Sequence, residues 1–107
     1  MTNKIKLQCS NGLLFLKVDE IIYFKAIDNY TELYTTDGDM YLLNASLSDM
    51  EKLNEGFFRC HRSYIINLEK IVAYHNKENI LLLEGNIKIP LARRRVNEFE
   101  GLLKQLV

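Results

Sequence analysis

The 107-residue sequence contains no tryptophan, one proline, two cysteines and five glycines. So few prolines and glycines exclude collagen-like and low-complexity chains. Apolar runs are short, and none approaches the roughly 20 residues that a helix needs to span a bilayer. Residues 1–12 also lack the apolar core and the small-residue cleavage site of a secretory signal. The sequence therefore predicts a cytoplasmic protein with no membrane partner.

Cysteine and histidine are too few and too scattered for a metal site. Cys9 and Cys60 lie far apart, without a CxxC motif, and a disulfide is not expected in the cytoplasm. Cys60 precedes His61, but neighbouring side chains of an extended chain point in different directions, so an activated thiolate is not implied. No hydrolase signature is present. We expect no metal, no cofactor and no enzymatic activity.

The chain also lacks net charge, with 14 basic and 14 acidic side chains. These charges are unevenly distributed along the sequence. Residues 1–58 carry 5 basic and 9 acidic side chains, residues 59–95 carry 8 and 3, and residues 96–107 carry 1 and 2. A basic segment of this kind favours a polyanion-binding face, and chance scatter of charges is the alternative.

Most of the chain has the pattern of short β-strands. Apolar residues alternate or cluster in segments rich in β-branched and aromatic residues, separated by turn residues such as Asn11-Gly12 and Asp37-Gly38. Asn11-Gly12 favours a type I′ hairpin turn. Residues 57–67 mix apolar and basic residues without clean alternation. The other predicted strands are 4–9, 13–18, 21–27, 31–36, 40–43, 71–74, 80–83 and 87–89.

Two segments have helical spacing instead. In residues 44–53, apolar residues recur at every third position, with Asn44 or Ser46 as the N-cap and Gly56 near the C-terminal end. Residues 93–106 form the second. The prediction is one mostly β domain over residues 1–107, with at least seven strands and two short helices. It has neither the βαβ alternation of a doubly wound sheet nor a helix-turn-helix.

Two basic clusters are candidates for phosphate or base contacts. The first contains Arg59, His61, Arg62 and Ser63, and the second is the run 93–95 of three arginines. The planar fork of arginine binds both phosphate oxygens and the major-groove edge of guanine. A solvated charged turn is the alternative for the triple arginine, and a structural hydrogen bond is the alternative for His61. Residues 28–31 (Asp-Asn-Tyr-Thr) offer short polar side chains, although such loops are usually turns.

Three segments resemble the LytTR DNA-binding domain. Residues 57–71, FFRCHRSYIINLEKI, are similar to the family pattern F-x-R-x-H-R-S followed by three hydrophobic residues and N. Residues 21–26 with Asn-Tyr at 29–30 are similar to an earlier family segment, and residues 90–95 are similar to its closing P-hydrophobic-S-R-R. Their order and spacing agree with the family over nearly the whole chain.

The resemblance implies an elongated, multi-sheet β fold that inserts loops into successive major grooves of double-stranded DNA and bends it. It also implies that two protomers bind paired imperfect repeats. Such domains are commonly the output half of bacterial two-component response regulators, with a receiver domain and a sensor kinase upstream. The alternative function is a protein-interaction module that uses the basic face.

The resemblance also assigns roles to individual residues. A base-reading histidine of some members is Thr31 here, the disulfide partner position of Cys60 is Ile89, and the usual serine before the arginines is Ala92. The disulfide switch of some members is therefore not expected. The implied base-reading residues are Arg62, Arg94, Asn29 and Thr31. The implied phosphate or supporting contacts are Arg59, His61, Ser63, Tyr30, Arg93 and Arg95.

Overall fold

The computed structural model describes residues 4–106 of the chain. These residues form ten strands, two α-helices and three short 3₁₀ segments. The first five strands are β1 (Lys4–Cys9), β2 (Gly12–Lys17), β3 (Ile21–Ile27), β4 (Tyr30–Thr35) and β5 (Met40–Leu43). The others are β6 (Phe57–His61), β7 (Tyr64–Asn67), β8 (Ile71–His75), β9 (Ile80–Leu83) and β10 (Ile87–Pro90). The helices are α1 (Leu47–Glu51) and α2 (Val96–Leu106), and the 3₁₀ segments are Val18–Glu20, Leu68–Lys70 and Arg93–Arg95.

The strands form two antiparallel sheets. The larger has seven strands in the order β2-β1-β5-β4-β3-β7-β6, and the smaller has three in the order β10-β9-β8. The molecule measures 41 × 34 × 24 Å along its principal axes. The predicted mostly β fold with two short helices and several sheets is confirmed. The part of the chain that the structure describes contains no helix-turn-helix.

Two hydrophobic cores lie on opposite sides of the larger sheet. The first includes Phe24, Leu33 and residues of α1, and the second includes Leu81 of the smaller sheet and Phe99 of α2. Neighbouring residues of β6 and β7 therefore face different cores, with Phe57 and Ile65 in the first core and Phe58 and Ile66 in the second. A strand buried on both faces has no polar face, which explains why residues 57–67 show no clean alternation.

The expected hairpin at residue 11 is present, but its turn differs from the expectation. Cys9 pairs with Gly12, so Ser10 and Asn11 are the two central turn residues. Among these residues only Gly12 has a positive φ, 138°. A type I′ turn needs a positive φ at both central residues, so that prediction is wrong.

The helices begin and end at slightly different positions from those predicted. Ser46 is the N-cap of α1, where its Oγ accepts a hydrogen bond from the Asp49 N–H at 3.2 Å. That helix ends at Glu51, well before Gly56. The second predicted helix starts as the 3₁₀ segment and becomes α-helical only at Val96. None of the described helices is long and apolar enough to cross a membrane.

Candidate nucleic-acid interface

Three loops meet at one edge of the molecule. They are the β3–β4 turn at residues 28–29, the β6–β7 turn at residues 62–63, and the loop at residues 91–95 after β10. The Ala26 N–H donates to the Ser63 carbonyl at 2.9 Å, and the Ala92 N–H donates to the Cys60 carbonyl at 2.8 Å. These backbone bonds hold segments from distant parts of the chain side by side.

The β3–β4 turn lines a shallow cavity of about 340 Å³. Asp28 has a φ of 51°, a conformation that aspartate and asparagine tolerate better than most residues. Asn29 and Tyr30 are exposed, and the tyrosine side chain is 44% accessible. Arg59 also lines this cavity.

A second cavity, of about 320 Å³, lies between the other two loops. It is lined by His61, Arg62, Ala92 and Arg94. Arg62 and Arg94 are both exposed, and neither forms an ion pair within the described part of the chain. Two exposed guanidinium groups at one cavity can donate to phosphate oxygens or to a guanine edge.

Arg59 connects the two cavities. Its Nη1 donates to Ser48 Oγ at 3.2 Å, and its Nη2 donates to the Arg62 carbonyl at 2.7 Å. The guanidinium is therefore already bonded within the protein. The two hydrogen bonds of Arg59 hold the β6–β7 turn against the start of α1.

The three consecutive arginines differ in their surroundings. Arg93 and Arg94 are exposed, whereas Arg95 is half-buried and its Nη1 lies 3.1 Å from Glu98 Oε1. They form a 3₁₀ turn before α2, and Ala92, at its N-cap, supplies no side-chain hydrogen bond. The Arg93 and Arg94 side chains are therefore exposed to solvent, and neither forms an ion pair within residues 4–106.

Thr31 does not fit the role that the resemblance implied. Its side chain is 1% exposed, and its Oγ1 donates to the Ala45 carbonyl at 2.7 Å. Residues of β4 alternate between the two faces of the sheet, and Thr31 lies on the inner face. The Thr31 side chain is therefore not presented at the surface of this structure, and its hydroxyl fixes the segment before α1.

His61 and Cys60 have structural contacts in this region. His61 is half-buried, and its Nδ1 accepts a hydrogen bond from the Ser63 N–H at 3.1 Å, which leaves Nε2 to carry the proton of the neutral ring. Cys60 is fully buried, and desolvation raises the pKa of its thiol to about 12. The described residues contain no group of three or more metal-ligating side chains.

Two serines that sequence reasoning did not select also line the first cavity. Ser46 and Ser48 lie at the beginning of α1 and share this cavity with Asn29. The capping signal of Ser46 was visible in the sequence. Its place beside the β3–β4 turn was not, because it depends on the packing of α1 against the larger sheet.

Exposed arginines on the loops of an antiparallel β domain are typical of a nucleic-acid-binding protein. Residues 11–104 match the family model of the LytTr DNA-binding domain. The chain belongs to this family. The structure is also similar to a solved LytTr DNA-binding domain of a putative methyl-accepting/DNA response regulator from Bacillus cereus. That match has a TM-score of 0.79 and 24% identity, and it covers 96% of this chain and 98% of that one.

Curated relatives include bacterial regulators. The heme-containing CO-sensing transcriptional regulator RcoM 1 of Paraburkholderia xenovorans is 30% identical over 94% of this chain and 39% of its own length. The transcriptional regulatory protein YpdB of Escherichia coli K12 is 30% identical over 92% of this chain and 43% of its own length. The sensory transduction protein LytT of Bacillus anthracis is 25% identical over 95% and 43%. The chain thus spans about two fifths of the length of these relatives.

Proposed function

We propose that residues 1–107 act as one sequence-specific DNA-binding domain of a bacterial transcriptional regulator. The observation that carries this proposal is the exposure of Arg62 and Arg94 at one cavity beside the β3–β4 turn. Membership of a DNA-binding family supports DNA over an acidic protein as the partner of this basic edge. The same membership favours a binding role over an enzymatic one.

The proposal divides the edge residues into two groups. Arg62 and Arg94 read guanine edges, and Asn29 reads a base from the neighbouring turn, because all three side chains are exposed. Arg93 and Tyr30 contact phosphates. The remaining residues, Arg59, His61, Ser63 and Arg95, support this edge through the internal hydrogen bonds described above, and any phosphate contact by them is secondary.

The proposal extends to successive major grooves, because the LytTR domains that the chain resembles insert loops there. The longest axis of the molecule is 41 Å, which exceeds the roughly 34 Å of one helical turn of B-DNA, so one protomer is long enough to lie along a full turn. We extend the proposal to two protomers on paired repeats, with a receiver domain and a sensor kinase upstream, as the greater length of the relatives allows.

The test begins with selection of bound sites from random DNA at fixed salt. Affinity for the selected site is then compared between the wild type and the double variant Arg62→Ala/Arg94→Ala. Each bidentate arginine contributes about 1–3 kcal/mol, so the loss should be at least about 30-fold. Specificity relative to random DNA should fall in parallel.

The matched control is Lys77→Ala/Lys88→Ala, which removes two exposed charges outside both cavities. Its specificity ratio should match that of the wild type. Equal affinity and equal specificity in the wild type and the Arg62/Arg94 variant would refute the assignment of readers. Failure to select any site would refute sequence-specific binding itself.

A further inference from the structure

The hairpin of β1 and β2 has an unusual outer face. Its inner face places Ile5, Leu7, Leu14 and Leu16 in or against the first core. Cross-strand pairs place the other residues together on the outside, with Lys4 opposite Lys17, Lys6 opposite Phe15, and Gln8 opposite Leu13. We call Lys4, Lys6, Leu13, Phe15 and Lys17 the hairpin patch.

The centre of the hairpin patch is apolar. Leu13 is 56% exposed and Phe15 is 53% exposed, and they lie two residues apart on the same face of β2. Single exposed apolar residues need no explanation, but two large ones side by side on an edge strand favour association. Val72, at 61%, is exposed on the other sheet without such a neighbour on its strand.

The rim of the patch is basic and unneutralised. Lys4, Lys6 and Lys17 are all exposed, and none forms an ion pair within residues 4–106. Like charges directly opposite each other destabilise a strand pair, so Lys4 opposite Lys17 is unfavourable for the isolated hairpin. A partner that supplies carboxylates removes this repulsion.

Edge lysines can also serve to prevent strand pairing between copies of a protein. That role explains the three lysines but not Leu13 and Phe15, which would promote association. The patch therefore has an apolar centre that a partner can bury. Its three lysines favour a partner that carries negative charge. Contact with the same face of a second copy would bring three lysines towards three lysines, so charge disfavours symmetric self-association.

We propose that the hairpin patch is a docking surface for an acidic protein partner with an apolar centre, such as the face of an amphipathic helix rich in leucine and glutamate. Leu13 and Phe15 bury against the apolar centre, and the three lysines pair with the surrounding carboxylates. DNA would use only the lysines and would leave both apolar side chains in water. None of the patch residues lines either cavity of the DNA-binding edge, so the inference does not rest on the proposed function.

The experiment uses three synthetic peptides of about 18 residues, enough for five helical turns. One is a leucine–glutamate amphipathic helix, the second replaces glutamate with lysine, and the third replaces leucine with serine. Each is titrated into the ¹⁵N-labelled chain, with amide shifts mapped by NMR and affinity measured by calorimetry. We expect only the leucine–glutamate peptide to bind, with its shifts concentrated in β1 and β2.

Variants then locate the contact. Leu13→Ser/Phe15→Ser and, separately, Lys6→Glu/Lys17→Glu should each weaken the binding of the leucine–glutamate peptide by at least about tenfold, as expected for central interface residues. The matched surface variants Val72→Ser and Lys88→Glu should stay within about twofold of the wild type. Because the changed side chains are exposed, the fold is retained, which a circular dichroism melt checks. DNA affinity of the two patch variants should be unchanged.

Several outcomes would overturn the proposal. The proposal fails if the leucine–glutamate peptide does not bind, or if the lysine peptide binds with the same affinity. It also fails if the amide shifts map outside the hairpin. Stronger binding to anionic phosphatidylglycerol vesicles than to the leucine–glutamate peptide would assign the patch to a lipid surface instead. Loss of DNA binding in the patch variants would assign it to the DNA interface.

Discussion

At the scale of single residues, hydrogen bonds separate side chains of the same type. Arg59 donates to Ser48 and to the Arg62 carbonyl, whereas the Arg62 side chain itself is exposed. Residue type and position place both arginines in one cluster, and only the family resemblance assigns Arg62 to base reading and Arg59 to a supporting role. Thr31 shows the same limit, because its hydroxyl is used inside the protein and not at the surface.

The thiol of Cys60 gives a pH-dependent prediction. Burial raises the pKa of this thiol to about 12, above the roughly 8.5 of an unfolded cysteine. At pH 7 the thiolate fraction in the folded protein is then about one in 10⁵, so reaction with Ellman's reagent should be slow. The Cys9→Ser variant, which retains only Cys60, measures this rate directly. It should rise steeply on unfolding in guanidinium.

The sign of the pH effect on stability follows from the raised pKa. The contribution of the buried neutral thiol is fully present below about pH 8.5 and is lost as the pH rises towards 12.

The control of the labelling experiment is the matched variant Cys60→Ser, which retains the half-buried Cys9 and provides the reference labelling rate. A rapid reaction of native Cys9→Ser protein at pH 7 would contradict the burial of Cys60.

At the scale of elements, Asn67 holds three segments together. Its side chain is 1% exposed, its Nδ2 donates to the carbonyls of Val18 and Ile21 at 3.1 and 2.9 Å, and its Oδ1 accepts from the Glu69 N–H at 3.2 Å. These bonds connect the end of β7 to the segment between β2 and β3. The family motif contains this asparagine, but its partners are nearly 50 residues earlier in the sequence.

Replacing Asn67 with leucine should therefore destabilise the fold strongly. The change leaves the Val18 and Ile21 carbonyls without their amide partner, and each buried unsatisfied group costs about 1–3 kcal/mol. We expect the free energy of unfolding, measured by urea titration, to fall by about 2–4 kcal/mol. Asn97→Leu, at an exposed position of α2, is the control and should change it by less than about 0.5 kcal/mol. Equal stabilities of the two variants would disprove the proposed role of Asn67.

Some strands and helices could be predicted from the sequence and others could not, and the difference has a physical reason. The hairpins of the N-terminal half were predictable because polar turn residues separate β-rich segments, as at residues 28–29 between β3 and β4. The β6–β7 hairpin was not resolved, since both strands are buried on both faces and Arg62-Ser63 is not a typical turn pair. The N-terminal end of α1 was predictable from the Ser46 cap, whereas its C-terminal end at Glu51 does not coincide with Gly56.

At the scale of the whole molecule, the net charge is zero although the charges are unevenly distributed along the chain. The basic excess lies in residues 59–95, yet Arg59 and Arg95 already have partners within the chain. Arg62, Arg93 and Arg94 are exposed at the edge that we propose to bind DNA. The number of phosphates that a protomer neutralises should therefore be small, and the shape of the DNA should contribute to specificity.

This count predicts a shallow salt dependence. The three exposed arginines set a limit of about −3 on the slope of log K against log[salt] for each protomer, and Arg62 and Arg94, as base readers, contribute less to it than Arg93. Fluorescence anisotropy over a range of salt concentrations measures this slope. Arg93→Ala should reduce its magnitude by about one and leave sequence preference unchanged.

The control for the salt measurement is Lys17→Ala, in the hairpin patch. Because Lys17 lines neither cavity of the DNA-binding edge, its removal should leave the slope unchanged. A slope steeper than about −6 for each protomer would mean that many more cations reach the phosphates than this edge provides.

The sequence alone predicts features that depend on residues close together in the chain. These are the β-rich pattern, the turns, the cap of α1, the basic segment and the family motif. Other features depend on contacts between distant segments. They are the bond of Arg59 to Ser48, the burial of Thr31, the partners of Asn67 and the exposure of the outer face of the hairpin. Those contacts exist only after the larger sheet brings β1 beside β5 and β3 beside β7. Burial and hydrogen bonding then determine which polar groups are used internally and which are left to meet a partner.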